Sequence, residues 1–162
     1  TSELARLGSG SACRSCFGGF VKWNTGSNSS QSISRQIFPQ THWPDLNILA
    51  LILEDQRKSV SSTNGMRDSV LTSDFLKHRV KLVEEQRLNQ MENAIKEKNF
   101  NQLAELTIKD SNSFHSVCMD TYPPLFYLND KSKEIIQLIN QFNSYEFHFE
   151  SDNKEQLRAA YS

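Results

Sequence analysis

Hydrophobic and polar residues are arranged along this chain in two main ways, and each predicts a different kind of element. Up to Leu53 the apolar positions gather in short runs parted by glycine, serine and asparagine, as strands and turns do. Ser2 to Leu7, with Leu4, Ala5 and Leu7 among Glu3 and Arg6, carries the last turn or two of a helix. Cys16 to Trp23 is rich in Phe, Val and Trp and predicts a strand, in which Gly18-Gly19 permits a bulge or a close backbone approach. Asn24 to Ser34 is a surface loop or hairpin connection, and Ile33 to Phe38 is a short strand that Pro39 ends. Leu46 to Leu53, nearly continuous in Leu and Ile, predicts a strand buried on both faces.

Glu54 to Gly65 is polar and closes on Asn64-Gly65, a turn signal. A period of three and four then takes over. It is carried by Leu76, Val80 and Val83, by Leu88, Met91 and Ile95, and by Leu103, Leu106, Phe114 and Val117, with Asn99 as a cap before Phe100. Pro123-Pro124 breaks the pattern. Asn129 or Asp130 caps a last helix that sets Ile135, Leu138, Ile139 and Phe142 on one face. Asn143 to Lys154 is polar except for Tyr145, Phe147 and Phe149 and forms an excursion, after which Gln156 to Tyr161 begins another strand. No internal repeat is present. Strands followed by a block of helices predict an α+β fold, layered as a two-layer α/β sandwich.

Composition narrows the function more than the fold. With 37% hydrophobic and 23% charged residues the chain has globular rather than disordered usage. A net charge of −1 provides no basic field for nucleic acid or anionic lipid. No apolar run approaches the roughly 18 residues of a membrane span, and no N-terminal signal peptide is visible. Three cysteines are not a disulfide framework, and the odd count favours a reducing, cytoplasmic compartment. The charge-rich runs Lys77 to Arg87 and Lys96 to Lys98 are expected as solvated helix faces, and Trp23 and Trp43 as packing residues.

Three segments could carry chemistry. In Gly8-Ser9-Gly10-Ser11-Ala12-Cys13-Arg14 small residues let backbone amides approach an anion, while hydroxyls and a guanidinium complete its shell. If Ser11 opens a helix, the amides at its N-terminus favour negative charge, and Arg14 lies about one turn further on. A glycine-rich turn with a capping serine and a surface arginine satisfies the same spacing. Val60-Ser61-Ser62-Thr63-Asn64-Gly65-Met66 gathers three hydroxyls at a helix start, suited to phosphate oxygens or to simple capping of the helix that follows Gly65. Asp110-Ser111-Asn112-Ser113-Phe114-His115, taken alone, holds a packed helix histidine. Cys13-x-x-Cys16 and His115-x-x-Cys118 have acceptable zinc-ligand spacings, but no compact ribbon surrounds either pair. A thioredoxin-like redox pair is disfavoured because no strand precedes Cys13.

The stretch from Gly8 to Trp23 (GSGSACRSCFGGFVKW) resembles the substrate-binding signature of the diphosphomevalonate decarboxylase family, in the superfamily of galactokinase, homoserine kinase and mevalonate kinase. Val60 to Met66, Asp110 to His115 and Tyr122-Pro123-Pro124-Leu125-Phe126-Tyr127 resemble further motifs of that family, in the family's order. The resemblance runs from Gly8 to about Phe142 and, more weakly, through Ala159-Ala160-Tyr161. It implies the end of an N-terminal kinase-superfamily domain in residues 1–40 and an incomplete, ferredoxin-like C-terminal domain in 41–162.

The activity implied is ATP- and magnesium-dependent decarboxylation of 5-diphosphomevalonate to isopentenyl diphosphate, in isoprenoid and sterol synthesis, by an enzyme that commonly forms homodimers. By resemblance Arg14 holds the substrate carboxylate, and Ser9, Ser11 and Ser62 hold its diphosphate or hydroxyl region. Asp110 to His115 and Tyr122 to Tyr127 lie near the site as packing residues. The family's lysine-tyrosine-tryptophan motif and serine-rich nucleotide loop have no counterpart between Thr1 and Ser162, and neither does its catalytic aspartate in Asp-Ala-Gly-Pro. The resemblance therefore assigns no catalytic residue and no metal ligand here. It implies an internal fragment that is inactive alone and prone to aggregate. A non-catalytic anion-binding or interaction module is the alternative. A homoserine- or mevalonate-kinase-like enzyme is a weaker third reading, opposed by the Ser-Ala-Cys-Arg-Ser and Phe-Gly-Gly strings.

Overall fold

The computed structural model describes residues 2–53, 60–144 and 157–162. Two compact units divide it, Thr1–Leu49 and Ala50–Ser162. Among the described residues it is a mixed helical fold with one small antiparallel sheet.

The first unit opens with helix α1 (Ser2–Gly8), followed by a 3-10 helix over Gly10–Cys16 and strands β1 (Phe20–Trp23) and β2 (Ser34–Phe38). The strands pair antiparallel, and the register shifts between Phe20, opposite Phe38, and Val21, opposite Gln36. Gly19 makes this bulge possible. Its φ is +70°, and a Cβ there would meet Phe38 O at 2.5 Å and Gln40 N at 2.6 Å. The strand expected from Cys16 therefore starts only at Phe20, because the 3-10 helix takes Cys16 and the two glycines turn the chain. The expected strand ending at Pro39 is β2, and residues 24–33 connect the hairpin.

Three buried groups hold this unit together. The Ser34 amide donates to Ser2 Oγ at 2.9 Å, tying β2 to α1, and Ser34 Oγ donates to Cys13 Sγ at 3.0 Å. Cys13 itself has no exposed surface. Arg6 reaches from α1 to the backbone and hydroxyl of Ser29, and Trp23 Nε1 donates to Ser32 Oγ at 3.0 Å, so the hairpin connection is fastened at two points. Beyond β2, Trp43 is buried and His42 stacks on Phe38 with ring centroids 4.4 Å apart.

The second unit is helical: α2 (Ser62–Thr72), α3 (Asp74–Leu82), a π-helical turn (Val83–Arg87), α4 (Leu88–Lys96), α5 (Phe100–Asp120) and α6 (Asp130–Ser144). The helix starts follow their capping residues. Ser61 accepts from Asn64 N at 3.2 Å, Ser73 from Leu76 N at 3.2 Å, Asn99 from Gln102 N at 3.1 Å and Asn129 from Ser132 N at 2.9 Å. Helix α5 is the axis, burying Ala104, Leu106, Ser111, Val117 and Cys118. Its end meets the α2–α3 corner through hydrogen bonds: Ser69 with Thr121 at 2.7 Å, the Tyr122 amide to Thr72 Oγ1 at 2.8 Å, and Ser73 to Asp120 at 2.7 Å. The Tyr122–Pro123 peptide is cis.

Three expectations are corrected here. Leu46–Leu53 forms no strand, and Ile48, Leu49 and Ile52 are 87%, 85% and 82% exposed. A strand buried on both faces needs neighbours for its backbone and cover for its sides. The two strands among the described residues pair with each other and offer neither to it. Asn64-Gly65 is not a turn but lies inside the first turns of α2, which Ser61 rather than a residue after Gly65 initiates. Residues 157–162 form no strand. The Asn143 side chain holds them instead, accepting from Arg158 N and Ala159 N at 3.0 Å each and donating to Ala159 O at 2.9 Å. The expected excursion lies mostly outside the described residues.

Candidate functional site

In the first unit, the Gly8–Trp23 stretch builds one tight, exposed turn. Ser9 ends α1, its amide donating to Ala5 O at 3.0 Å, and its extended backbone (φ −157°, ψ 128°) starts the 3-10 helix. Its carbonyl accepts from Ala12 N at 3.0 Å, while its side chain makes no capping bond. That leaves Ser9 Oγ outward, 3.5 Å from Ser11 Oγ. Arg14 lies one 3-10 turn beyond Ser11 and is exposed, with its guanidinium 5.8 Å from the Trp23 ring centroid. Trp23 also packs beneath Gly10, where a Cβ would stand 3.4 Å from the indole. The turn is thus floored by an indole and lined by two hydroxyls and one guanidinium, a set that suits a carboxylate or phosphate. The helix that follows Ser9 is a 3-10 helix, and Ser11 lies inside it rather than opening it.

In the second unit, Ser62 is the first residue of α2 and is exposed together with Ser61 and Thr63. Ser61 is occupied with capping, so Ser62 and Thr63 keep their hydroxyls at the positive end of the helix. Gly65, one turn in, is buried where a Cβ would lie 2.5 Å from Tyr127 Oη and 3.1 Å from Leu125 Cδ1. The Pro-Pro-Leu-Phe-Tyr segment therefore packs directly against the turn that carries Ser62. Burial pushes the Tyr127 hydroxyl pKa up, with Cys118 adding to the rise.

Asp110, expected only as a packing residue, gathers charge. Arg79 donates to both its carboxylate oxygens at 2.8 and 2.9 Å, and Arg87 approaches Oδ1 at 3.5 Å while donating to Ser113 Oγ at 2.8 Å. Arg79 and Arg87 side chains are only 21% and 17% exposed, so the solvated face expected for Lys77 to Arg87 is corrected for these two. Eight residues of regular α-helix would leave them roughly 80° apart around the axis. The π-helical turn at Val83–Arg87 absorbs that offset. Nothing in the sequence pattern announces that turn, so the spacing alone does not predict the cluster. A cleft of about 290 Å³ beside it is lined by Val83, Leu88, Met91 and Leu106, with Arg87 and Asp110 at its polar edge. None of Ser9, Ser11, Arg14 and Ser62 lines it.

The remaining candidates are packed. Burial lowers the pKa of His115, whose ring meets Phe114 edge-on at 5.2 Å. Burial raises the Cys118 thiol, against the opposing pull of Arg79. Cys13 Sγ donates to Gly10 O at 3.0 Å and accepts from Ser34. Among the described residues no group of three or more His, Cys, Asp or Glu side chains gathers to hold a metal ion, and no helix is long and apolar enough to cross a membrane.

Residues 48–162 match the family described as "Mevalonate 5-diphosphate decarboxylase C-terminal domain", and residues 1–34 match "Diphosphomevalonate decarboxylase-like N-terminal domain". The diphosphomevalonate decarboxylase of Rattus norvegicus is 49% identical over 146 residues, which are 89% of this chain and 36% of the rat protein. A solved structure of the mevalonate diphosphate decarboxylase from Trypanosoma brucei superposes with a TM-score of 0.84 at 39% identity, covering 88% of this chain and 39% of that one. Another, described as "MDDEF in complex with MVAPP, AMPPCP and Magnesium", gives a TM-score of 0.74 at 36% identity over 86% of this chain and 42% of its own. The chain thus spans about two fifths of the length of the proteins it matches.

Proposed function

This chain belongs to the mevalonate 5-diphosphate decarboxylase family, and from that premise we propose that it forms part of an enzyme that decarboxylates 5-diphosphomevalonate to isopentenyl diphosphate with consumption of ATP. The observation that carries the reading is the exposed turn that sets Ser9, Ser11 and Arg14 together above Trp23. Arg14 takes the substrate carboxylate as a fork-to-fork pair, and the Ser9 and Ser11 hydroxyls donate to its diphosphate or hydroxyl region. Ser62, at the N-terminus of α2, takes a diphosphate oxygen. Their work is positional and electrostatic. Departure of phosphate from the phosphorylated tertiary carbon leaves positive character there, which loss of carbon dioxide quenches.

Residues 1–40 are the end of the N-terminal domain, and 41–162 are an incomplete, ferredoxin-like C-terminal domain in a two-layer α/β sandwich. The separate family matches at 1–34 and 48–162 support that division. ATP and magnesium are expected of the whole protein, in keeping with the relative that holds AMPPCP and magnesium. No residue of this chain is assigned to either group. The catalytic aspartate is likewise sought outside these residues, and the 162 residues alone are expected to be inactive. A cytoplasmic homodimer serving isoprenoid and sterol synthesis completes the reading.

Calorimetric titration of the full-length protein with 5-diphosphomevalonate tests the site. Arg14→Ala should weaken binding about 10- to 100-fold, the loss of one charged hydrogen-bonded pair. Unchanged affinity in Arg14→Ala and in Ser62→Ala would leave the assignment without support.

A further inference from the structure

Trp23 closes strand β1, and its place there is fixed from three sides. Its backbone lies opposite Ser34 of β2, which buried hydrogen bonds tie to Ser2 and Cys13. Its Nε1 donates to Ser32 Oγ at 3.0 Å, which sets the direction of the ring edge. The far edge of its six-membered ring lies under Gly10, with Cη2 3.4 Å from where a Cβ would stand. The Arg14 guanidinium stands 5.8 Å from the centroid of this indole, within the reach of a cation–π contact, about 6 Å. Among the described residues that guanidinium makes no hydrogen bond or ion pair, so the indole is what holds it. A ring face attracts a cation without consuming its N–H donors, which leaves the fork open to a planar anion.

We propose that Trp23 is a positioning residue, whose indole holds the Arg14 guanidinium in place before the substrate carboxylate arrives. The proposal rests on the functional reading above, in which Arg14 takes that carboxylate. An exposed arginine with no partner samples many rotamers, and ordering it on binding costs affinity. A guanidinium already held against a rigid ring has less freedom left to lose. Trp23 is thus more than the packing residue its composition suggests: it touches no substrate, and it acts on binding through Arg14. Tryptophan suits the role because its ring gives the strongest cation–π attraction among the aromatic side chains.

The test is a double-mutant cycle on the full-length protein, read by calorimetric titration with 5-diphosphomevalonate. Trp23→Leu should weaken binding about 2- to 10-fold when Arg14 is present. Trp23→Phe, which keeps an aromatic face, should recover part of that loss. In an Arg14→Ala background both substitutions should leave the affinity where Arg14→Ala alone puts it, because no guanidinium remains to be held. A merely structural role for Trp23 would cost the same in both backgrounds. Where Trp23→Leu does not fold, Trp23→Phe carries the cycle alone. Equal losses with and without Arg14, a Phe variant no better than Leu, or parent-like binding by Trp23→Leu would overturn the proposal while the role of Arg14 stands. An Arg14→Ala protein that binds as tightly as the parent would overturn the functional reading and this proposal with it.

Discussion

A methyl group added at Gly65 would lie 2.5 Å from Tyr127 Oη, closer than atoms pack. Gly→Ala inside a helix ordinarily gains about 1 kcal/mol, but overpacking at a filled site costs about 1–3 kcal/mol. Gly65→Ala should therefore lower stability by up to about 2 kcal/mol in denaturant unfolding. The same change in a Tyr127→Phe background, with the offending oxygen gone, should be close to neutral. Equal losses in both backgrounds would mean the clash lies elsewhere. The residue scale is also where sequence reading served the candidate site best. Ser9, Ser11 and Arg14 share one turn, and their grouping depends only on local spacing. Asn64-Gly65 looks like a turn in the sequence because the reason for Gly65, the approach of Tyr127, comes from 62 residues away along the chain.

At the scale of elements, the helices α3 to α6 follow the three-and-four spacing, and α5 and α6 follow their Asn99 and Asn129 caps, since both signals are local. The Arg79–Asp110–Arg87 cluster does not, because it arises from a π-helical turn meeting α5. Asp110→Asn should cost about 1–2 kcal/mol, the partly exposed carboxylate being screened by solvent. A melting curve unchanged from the parent protein would contradict that. Asp120 joins the α2–α3 corner to the end of α5, accepting from the Phe75 amide at 3.0 Å and from Ser73 Oγ. These bonds, the amide first, hold its carboxyl below the ordinary 3.8. A depressed folded value contributes stability above the unfolded pKa and loses it as pH falls through the folded one. The melting-temperature gap between the parent protein and Asp120→Asn should be constant above about pH 5 and shrink steadily below the ordinary carboxylate value. A gap that widens on acidification would reverse the sign of the argument.

At the scale of the molecule, strands were the least legible part. β1 and β2 form a hairpin whose partners are adjacent in sequence, and local composition predicts both. Leu46–Leu53 and the residues up to Tyr161 have strand-like composition, but a strand is completed by neighbours, which composition does not specify. The exposed Ile48, Leu49 and Ile52 make this apolar surface an aggregation hazard. Ile48→Asp together with Ile52→Asp should raise the solubility of the isolated 162 residues, as read by light scattering. No change would place the hazard elsewhere. Family membership is legible because short motifs in a fixed order are local signals, which need no knowledge of folding partners. The most direct test of the account is release of carbon dioxide from carboxyl-labelled 5-diphosphomevalonate by the full-length protein, counted against ADP formed. One carbon dioxide per ADP, sharply reduced in Arg14→Ala, is the predicted result. ATP turnover without carbon dioxide, or release that Arg14→Ala leaves untouched, would contradict it.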